Sequence, residues 1–277
     1  NETMLALLGF ATVIAIIVLL LRNVTVPALA FVGVSTVTTA ILVLTGTFTI
    51  KEMGDFIAAG VADVHSTAAL FIFSVLFFGI MNDVGLFDRI INALMKKVGT
   101  NVVGVAVMTC IIAMIGHLDG GGASTFLITI PAMLPVYKRL KMRPTTLLLI
   151  CVTAMGVMNL LPWGGPTARA ATVLAMDATE LWHMLIPLQV VGLMMNIILA
   201  VLLGMFAIRH GAGAGKGVEV ESDEKAKKEA ADLRKSNAYL IFNFLLTVGV
   251  IALLSTGIGK SYVIFMLGLC ILLAVNY

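Results

Sequence analysis

Apolar residues run along this chain in long uncharged stretches separated by short charged ones. Met4 to Leu21, Val24 to Ile50, Ala238 to Gly259 and Ser261 onward each hold enough for the roughly 20 apolar residues that cross a bilayer as a helix. Barrel strands would alternate and be shorter, so the stretches read as helices. The pattern predicts spans near 4–21, 27–46, 66–83, 145–175, 181–208, 238–256 and 261–277. An apolar pair at 102–136 stands apart from these. A stretch at 50–62, with Lys51, Glu52, Asp55 and the nearby Asp63, is expected to lie at the membrane interface. The first span lacks the basic start and the A-x-A-like end of a secretory signal, and further spans follow it.

Composition sharpens this into a class. The chain is 60% hydrophobic and 12% charged, with a mean hydropathy of +1.07, values that belong to membrane proteins and not to soluble domains. The expected fold is an all-α polytopic membrane protein. Cys110, Cys151 and Cys270 stand singly in apolar segments without C-x-x-C spacing, so they read as packing residues and imply neither disulfides nor zinc. A net charge of +3 is ordinary for cytoplasmic loops and does not imply nucleic acid. The chain lacks an initiator methionine and stops at Tyr277 inside an apolar run, so it is expected to be a fragment.

Threading the predicted spans sorts the basic residues. All but three of the 18 fall on one side, which is expected to be the cytoplasm. The exceptions are Lys51 and Lys260 on the outer side and Arg169 within a span. The first residue is then extracytoplasmic. Residues 209–236, Gly/Ala-rich and then charged, are expected to form a cytoplasmic linker between two membrane units. Five full spans precede it, so a second copy of the same unit would enter the membrane upside down, as in an inverted-repeat transporter. The expected organisation is a first repeat at 1–208, the linker, and the truncated start of a second repeat at 237–277.

The helix pattern fails in two places. Residues 102–136 hold two apolar arms joined by His117-Leu118-Asp119-Gly120-Gly121-Gly122-Ala123. At about 1.5 Å per residue the arms reach roughly 20 Å, short of the roughly 30 Å hydrocarbon core, and basic residues flank both. A re-entrant hairpin turning at mid-depth fits, with glycine allowing the tight turn. Two full spans would give the same charge pattern. The second failure runs from Asn159 to Arg169 and holds Pro162, Gly164, Gly165 and Pro166, which should break residues 145–175 into two half-helices. Unsatisfied N–H groups at a half-helix start suit a carboxylate, and freed carbonyls suit a cation. Asp119 and Arg169 are costly at such depth and are candidates for function. Asp119, if burial keeps it neutral, could accept a coupling proton, or it could ligate a cation. His117 beside it is a candidate relay.

The runs GIMNDVGLFDRI (79–90), HLDGGGASTFLITIPAMLPVYKRLKM (117–142) and MNLLPWGGPTARAA (158–171) resemble the citrate-metal:proton symporter family (CitMHS) of the ion transporter superfamily. The resemblance implies an inverted-repeat fold with a scaffold and a mobile transport domain. It also implies import of citrate or a related di- or tricarboxylate, often complexed with a divalent ion of the magnesium or calcium type, and coupled to protons. No permanently bound cofactor is implied, and a homodimer is compatible with it. Carboxylates in the superfamily meet a Ser/Thr-bearing hairpin tip and a Gly/Pro/Thr-rich break, which here match Ser124, Thr125, Asn159, Gly164, Gly165, Pro166 and Thr167, with Arg169 beside them. Where the family usually has L-D-G-D-G, Gly121 replaces the second aspartate, which bears on ion choice. Asp119 would then be the one tip carboxylate able to touch a metal carried with the substrate.

Charge arithmetic agrees. Fully ionised citrate carries three negative charges against Arg169 and His117, whereas its 1:1 complex with a divalent metal carries one. An anion channel and a sodium-coupled carrier of the same superfamily are the alternatives. An aspartyl protease dyad of Asp83 and Asp119 fits its surroundings poorly. No H-E-x-x-H, G-x-S-x-G or P-loop pattern appears, which argues against a zinc protease, a typical Ser hydrolase and an ATP-driven motor, and the chain is not expected to be an enzyme. The expected location is a bacterial plasma membrane.

Overall fold

The computed structural model describes residues 2–96, 99–213 and 237–277, with the side chain of Asn237 left aside. The described residues form helices and no strands. In order they are α1 (Glu2–Leu21), α2 (Pro27–Leu44), α3 (Ile50–Asp83), α4 (Leu86–Met95), α5 (Val102–Gly116), α6 (Gly122–Arg139), α7 (Pro144–Met158), α8 (Gly165–Val173), α9 (Ala178–Arg209), α10 (Asn237–Ser255) and α11 (Ser261–Asn276). By length and apolar character α1, α2, α3, α9 and α10 can each cross a membrane. The protein is therefore an all-α polytopic membrane protein. Lys97 and the linker beyond residue 213 lie outside the described residues.

Contacts divide the chain into two compact units, Asn1–Asp63 and Val64–Tyr277. In the first, α1 and α2 pair, and the hydroxyls of Thr12 and Thr38 meet at 2.7 Å between them. Leu7, Phe10, Leu29 and Val32 are exposed, as befits side chains whose solvent is lipid. The unit boundary falls inside α3. This 34-residue helix joins the expected interfacial stretch at 50–62 and the expected span at 66–83 into one element. Its start is a capping box: Thr49 N–H donates to Glu52 Oε2 at 2.7 Å, and Glu52 N–H donates to Thr49 Oγ1 at 3.2 Å. No proline interrupts it before Asp83. At about 1.5 Å per residue it is roughly 50 Å long, well beyond a bilayer's hydrocarbon thickness.

In the second unit α5 packs against α6, α7 and α9. The N-cap of α5 is Asn101, whose Oδ1 accepts from the N–H groups of Val103 and Gly104. Gly204 lets α9 lie close against α5, because a Cβ there would sit 2.8 Å from Val103 Cα. Asn196 of α9 donates to the Thr153 carbonyl of α7 at 3.0 Å. The 102–136 pair forms a helix–turn–helix, its second arm running on to Arg139 although Pro131 and Pro135 lie within it. Residues 145–175 are two helices, α7 and α8, as the prolines and glycines predict. The short helix α4, distinct from the end of α3, is an element that the hydropathy pattern did not separate. It begins after Gly85, whose φ of +78° ends α3.

Candidate functional site

The turn between α5 and α6 meets the break between α7 and α8. At the turn, Gly120 has φ +74°, and a Cβ on it would lie 3.2 Å from the Trp163 carbonyl oxygen. Only glycine suits both the left-handed backbone and that approach. Asp119 Oδ1 accepts from Gly121 N–H at 2.8 Å, an Asx turn that shapes the tip. Helix α6 begins at Gly122 and α8 at Gly165, both without a side-chain cap, so their first-turn N–H groups lack intrahelical acceptors. Two helix N-termini are thus brought into one neighbourhood, each offering partial positive charge to an anion.

Two hydrogen-bonded bridges join turn and break. His117, 1% exposed, places Nδ1 2.7 Å from Thr125 Oγ1 and Nε2 3.2 Å from Asn159 Oδ1. Trp163 Nε1–H donates to the Leu118 carbonyl at 2.6 Å. The indole is held in turn by Phe78 and Phe265, with ring centroids 5.4 and 5.2 Å away. Phe77 and Phe87 extend this aromatic cluster.

Hydrogen-bond accounting at His117 defines its chemistry. With the Asn159 amide oriented as the network places it, Oδ1 accepts and Nε2 carries a hydrogen. Thr125 Oγ1 has a single hydrogen and, besides the more distant Gly116 carbonyl at 3.5 Å, two close acceptors, His117 Nδ1 and the Gly121 carbonyl at 2.9 Å. If that hydrogen goes to Nδ1, the ring is neutral. If it goes to Gly121, Nδ1 donates and the ring is cationic. Either arrangement of hydrogens keeps the His117 bridge between the two elements at the same heavy-atom positions.

The remaining candidates divide. Thr167, 3% exposed, donates through Oγ1 to the Asn159 carbonyl at 3.0 Å, so one carbonyl freed by the break is satisfied internally and does not face a cation. Ser124 Oγ likewise donates to the Gly121 carbonyl at 2.7 Å. These hydroxyls are taken up internally, which leaves backbone N–H groups and the Arg169 guanidinium as donors toward a ligand. Gly164 is fixed by space: a Cβ would fall 2.3 Å from the Asn159 carbonyl oxygen. Pro166 and Arg169 are exposed, and the Arg169 guanidinium turns back over the first turn of α8, with Nη2 3.7 Å from where a Gly165 Cβ would stand. Asp119 is half-buried. Trp163 was not among the expected site residues, although it stands inside the P-W-G-G-P run that marks the break. Thr129, one turn beyond Thr125 in α6, is buried, and among the described residues its hydroxyl has no hydrogen-bond partner; its i+4 spacing from Thr125 puts both on one face of the helix.

Comparison with known proteins places the chain. A family model described as "Citrate transporter" (CitMHS) matches residues 3–276. A "Citrate transporter" of Bacillus subtilis (strain 168) is 37% identical over 274 residues, which cover 99% of this chain and 62% of that protein. The "Mg(2+)/citrate complex secondary transporter" of the same strain is 35% identical over 277 residues, with coverage of 99% and 62%. A third protein of that strain, "Uncharacterized transporter YraO", is 32% identical over 280 residues and is covered to 63%. The chain therefore spans less than two thirds of the length of the curated relatives it matches. No solved structure matches it significantly. The family and these relatives are transporters, not enzymes. With a match that runs from the third residue to the last but one, the chain belongs to the citrate transporter family, CitMHS.

Proposed function

We propose that this protein is a secondary active carrier that imports citrate, or a related di- or tricarboxylate, as a complex with a divalent metal ion and together with protons, across a bacterial plasma membrane. The observation that carries the reading is the pairing of two interrupted elements, the 117–121 turn and the 159–164 break, through the His117 and Trp163 bridges. Irregular backbone inside a membrane is tolerated only where protein buries it or it lines a watery cavity. In this reading the substrate carboxylates meet the first-turn N–H groups of α6 and α8, with Arg169 beside them. Ser124, Thr125, Asn159, Gly164, Gly165, Pro166 and Thr167 hold those groups in place. Asp119 and His117 carry the coupling proton, and Asp119 is the carboxylate that touches the metal. The hairpin and the broken helix belong to the first of two inverted repeats, and α10 and α11 begin the second.

Charge balance supports the metal complex. Free citrate would bring three negative charges to a site whose nearby cations are Arg169 and His117, and an unpaired excess is costly away from water. The 1:1 metal complex brings one. The name of one relative specifies such a complex with magnesium.

The test is uptake of labelled citrate by the protein in sealed vesicles, with and without magnesium or calcium and a pH gradient. Saturable uptake that needs the metal and collapses with the gradient is expected. Unsaturable conductance would instead mean a channel, and dependence on sodium alone a sodium-coupled carrier.

A further inference from the structure

A polar cavity of about 380 Å³ lies away from the turn and the break, at the start of α9 beside the α10–α11 connection. Asp177, Thr179, Glu180, His183, Gly257, Gly259 and Lys260 line it. Asp177 caps α9, its Oδ1 accepting from Thr179 N–H at 2.9 Å and its Oδ2 lying 3.5 Å from Ser261 Oγ. His183 Nε2 lies 3.1 Å from the Ser255 carbonyl, which can only accept. Nε2 therefore carries the hydrogen, and Nδ1 of the neutral ring is an acceptor. Thr179 is 3% exposed and, among the described residues, its hydroxyl oxygen has no hydrogen-bond partner. A buried unpaired hydroxyl on a cavity wall costs free energy unless something in the cavity satisfies it.

The lining is rich in acceptors: the second oxygen of Asp177, both oxygens of Glu180, His183 Nδ1 and Thr179 Oγ1. Among the described residues no three His, Cys, Asp or Glu side chains gather closely enough to hold a bare metal ion. Acceptors spread around a cavity suit instead the hydrogens of metal-bound waters. Magnesium keeps several waters when bound, and six at about 30 Å³ each fill roughly 180 Å³, leaving room beside them. Among the described residues Lys260 is the lysine or arginine on the wall; it would repel a lone metal ion, but it fits a carboxylate carried by that ion. A bare polycarboxylate would face Asp177 and Glu180.

We infer that this cavity is a docking site for the hydrated metal–carboxylate complex, which Asp177, Thr179, Glu180 and His183 hold through the metal's water shell and Lys260 through a carboxylate. The inference rests on the proposed function, which supplies the complex. By the charge pattern the cavity faces outward, where an imported solute arrives.

The experiment is a titration of the protein, in lipid nanodiscs, with manganese as a probe for magnesium, with and without citrate, read by equilibrium dialysis as the manganese held on the nanodisc side in excess of the free ion and its citrate complex. Wild-type protein is expected to retain manganese more tightly with citrate present. Glu180→Gln should weaken retention about tenfold, the scale on which outer-shell ligands act, and Lys260→Ala should remove the citrate enhancement while retention of manganese without citrate holds or rises. Glu180 and Lys260 are exposed, so neither change threatens the fold, and Glu180→Asp should restore most of the loss. Asn159→Ala, at the proposed transport site, weakens that site's own hold on the complex, so Glu180→Gln and Lys260→Ala are each compared with their parent in that background as well. Unchanged retention in both Glu180→Gln and Lys260→Ala overturns the docking site. Metal-independent uptake in the vesicle assay overturns the proposed function instead, so the two failures are distinct.

Discussion

Asp119 shapes the turn, and the coupling role proposed for it can be separated from that by one substitution. Its Oδ1 accepts from Gly121 N–H and shapes the turn, and an asparagine Oδ1 can do the same. Asp119→Asn is therefore expected to leave the protein folded and inserted while abolishing proton-driven accumulation of citrate. Normal accumulation in that variant, measured in energised vesicles, would remove Asp119 from the coupling role. Gly164 and Gly156 form a second contrast. A methyl on Gly164 would collide with the Asn159 carbonyl oxygen at 2.3 Å, whereas Gly156 has nothing within 4 Å. Gly164→Ala should destabilise by about 1–3 kcal/mol, as overpacking does. Gly156→Ala, in the interior of α7, should be neutral or stabilise by roughly 1 kcal/mol. Thermal unfolding in detergent would rank them, and equal midpoints would contradict the packing. The need for glycine at 164 was legible from the run of prolines and glycines, but its cause was not, because φ there is an ordinary −65° and the conflict is with a carbonyl five residues back.

Elements show where sequence reasoning succeeds and where it stops. The turn and the break were legible because glycine and proline act locally, through torsion and a missing donor. What joins them was not: His117 and Asn159 are far apart in sequence, and no pattern of types pairs an imidazole with that particular amide. The continuity of α3 was hidden for the opposite reason. Lys51, Glu52 and Asp55 suggested an interface, yet charges do not end a helix, and the Thr49–Glu52 box starts one. The hairpin makes its own prediction. Ala123, exposed at the start of α6, can be replaced by cysteine once Cys270, the exposed native thiol, is changed to serine. A small charged maleimide should label Ala123→Cys more slowly than a surface control at Arg22→Cys, and citrate should protect it. Labelling as fast as the control and indifferent to citrate would place the turn at the membrane surface and exclude the re-entrant arrangement.

For the whole molecule, the aromatic cluster ties the break to elements distant in sequence, since Trp163 touches Phe78 of α3 and Phe265 of α11. If α11 opens the second repeat, the cluster is where the first repeat's broken helix leans on the second. Losing the indole N–H in Trp163→Phe keeps most of that packing but leaves the Leu118 carbonyl without its donor. A loss of about 1–3 kcal/mol in stability is expected, with a larger fall in uptake than in protein yield; an unchanged melting midpoint would show that the bond carries no weight. Trp163 and Trp182 are the chain's two tryptophans, and Trp182 Nε1 is bonded separately to Gln189. Replacing Trp182 with phenylalanine would leave a solitary tryptophan lodged between the two broken segments, so that its emission becomes a built-in gauge of whether they part when citrate and magnesium are added.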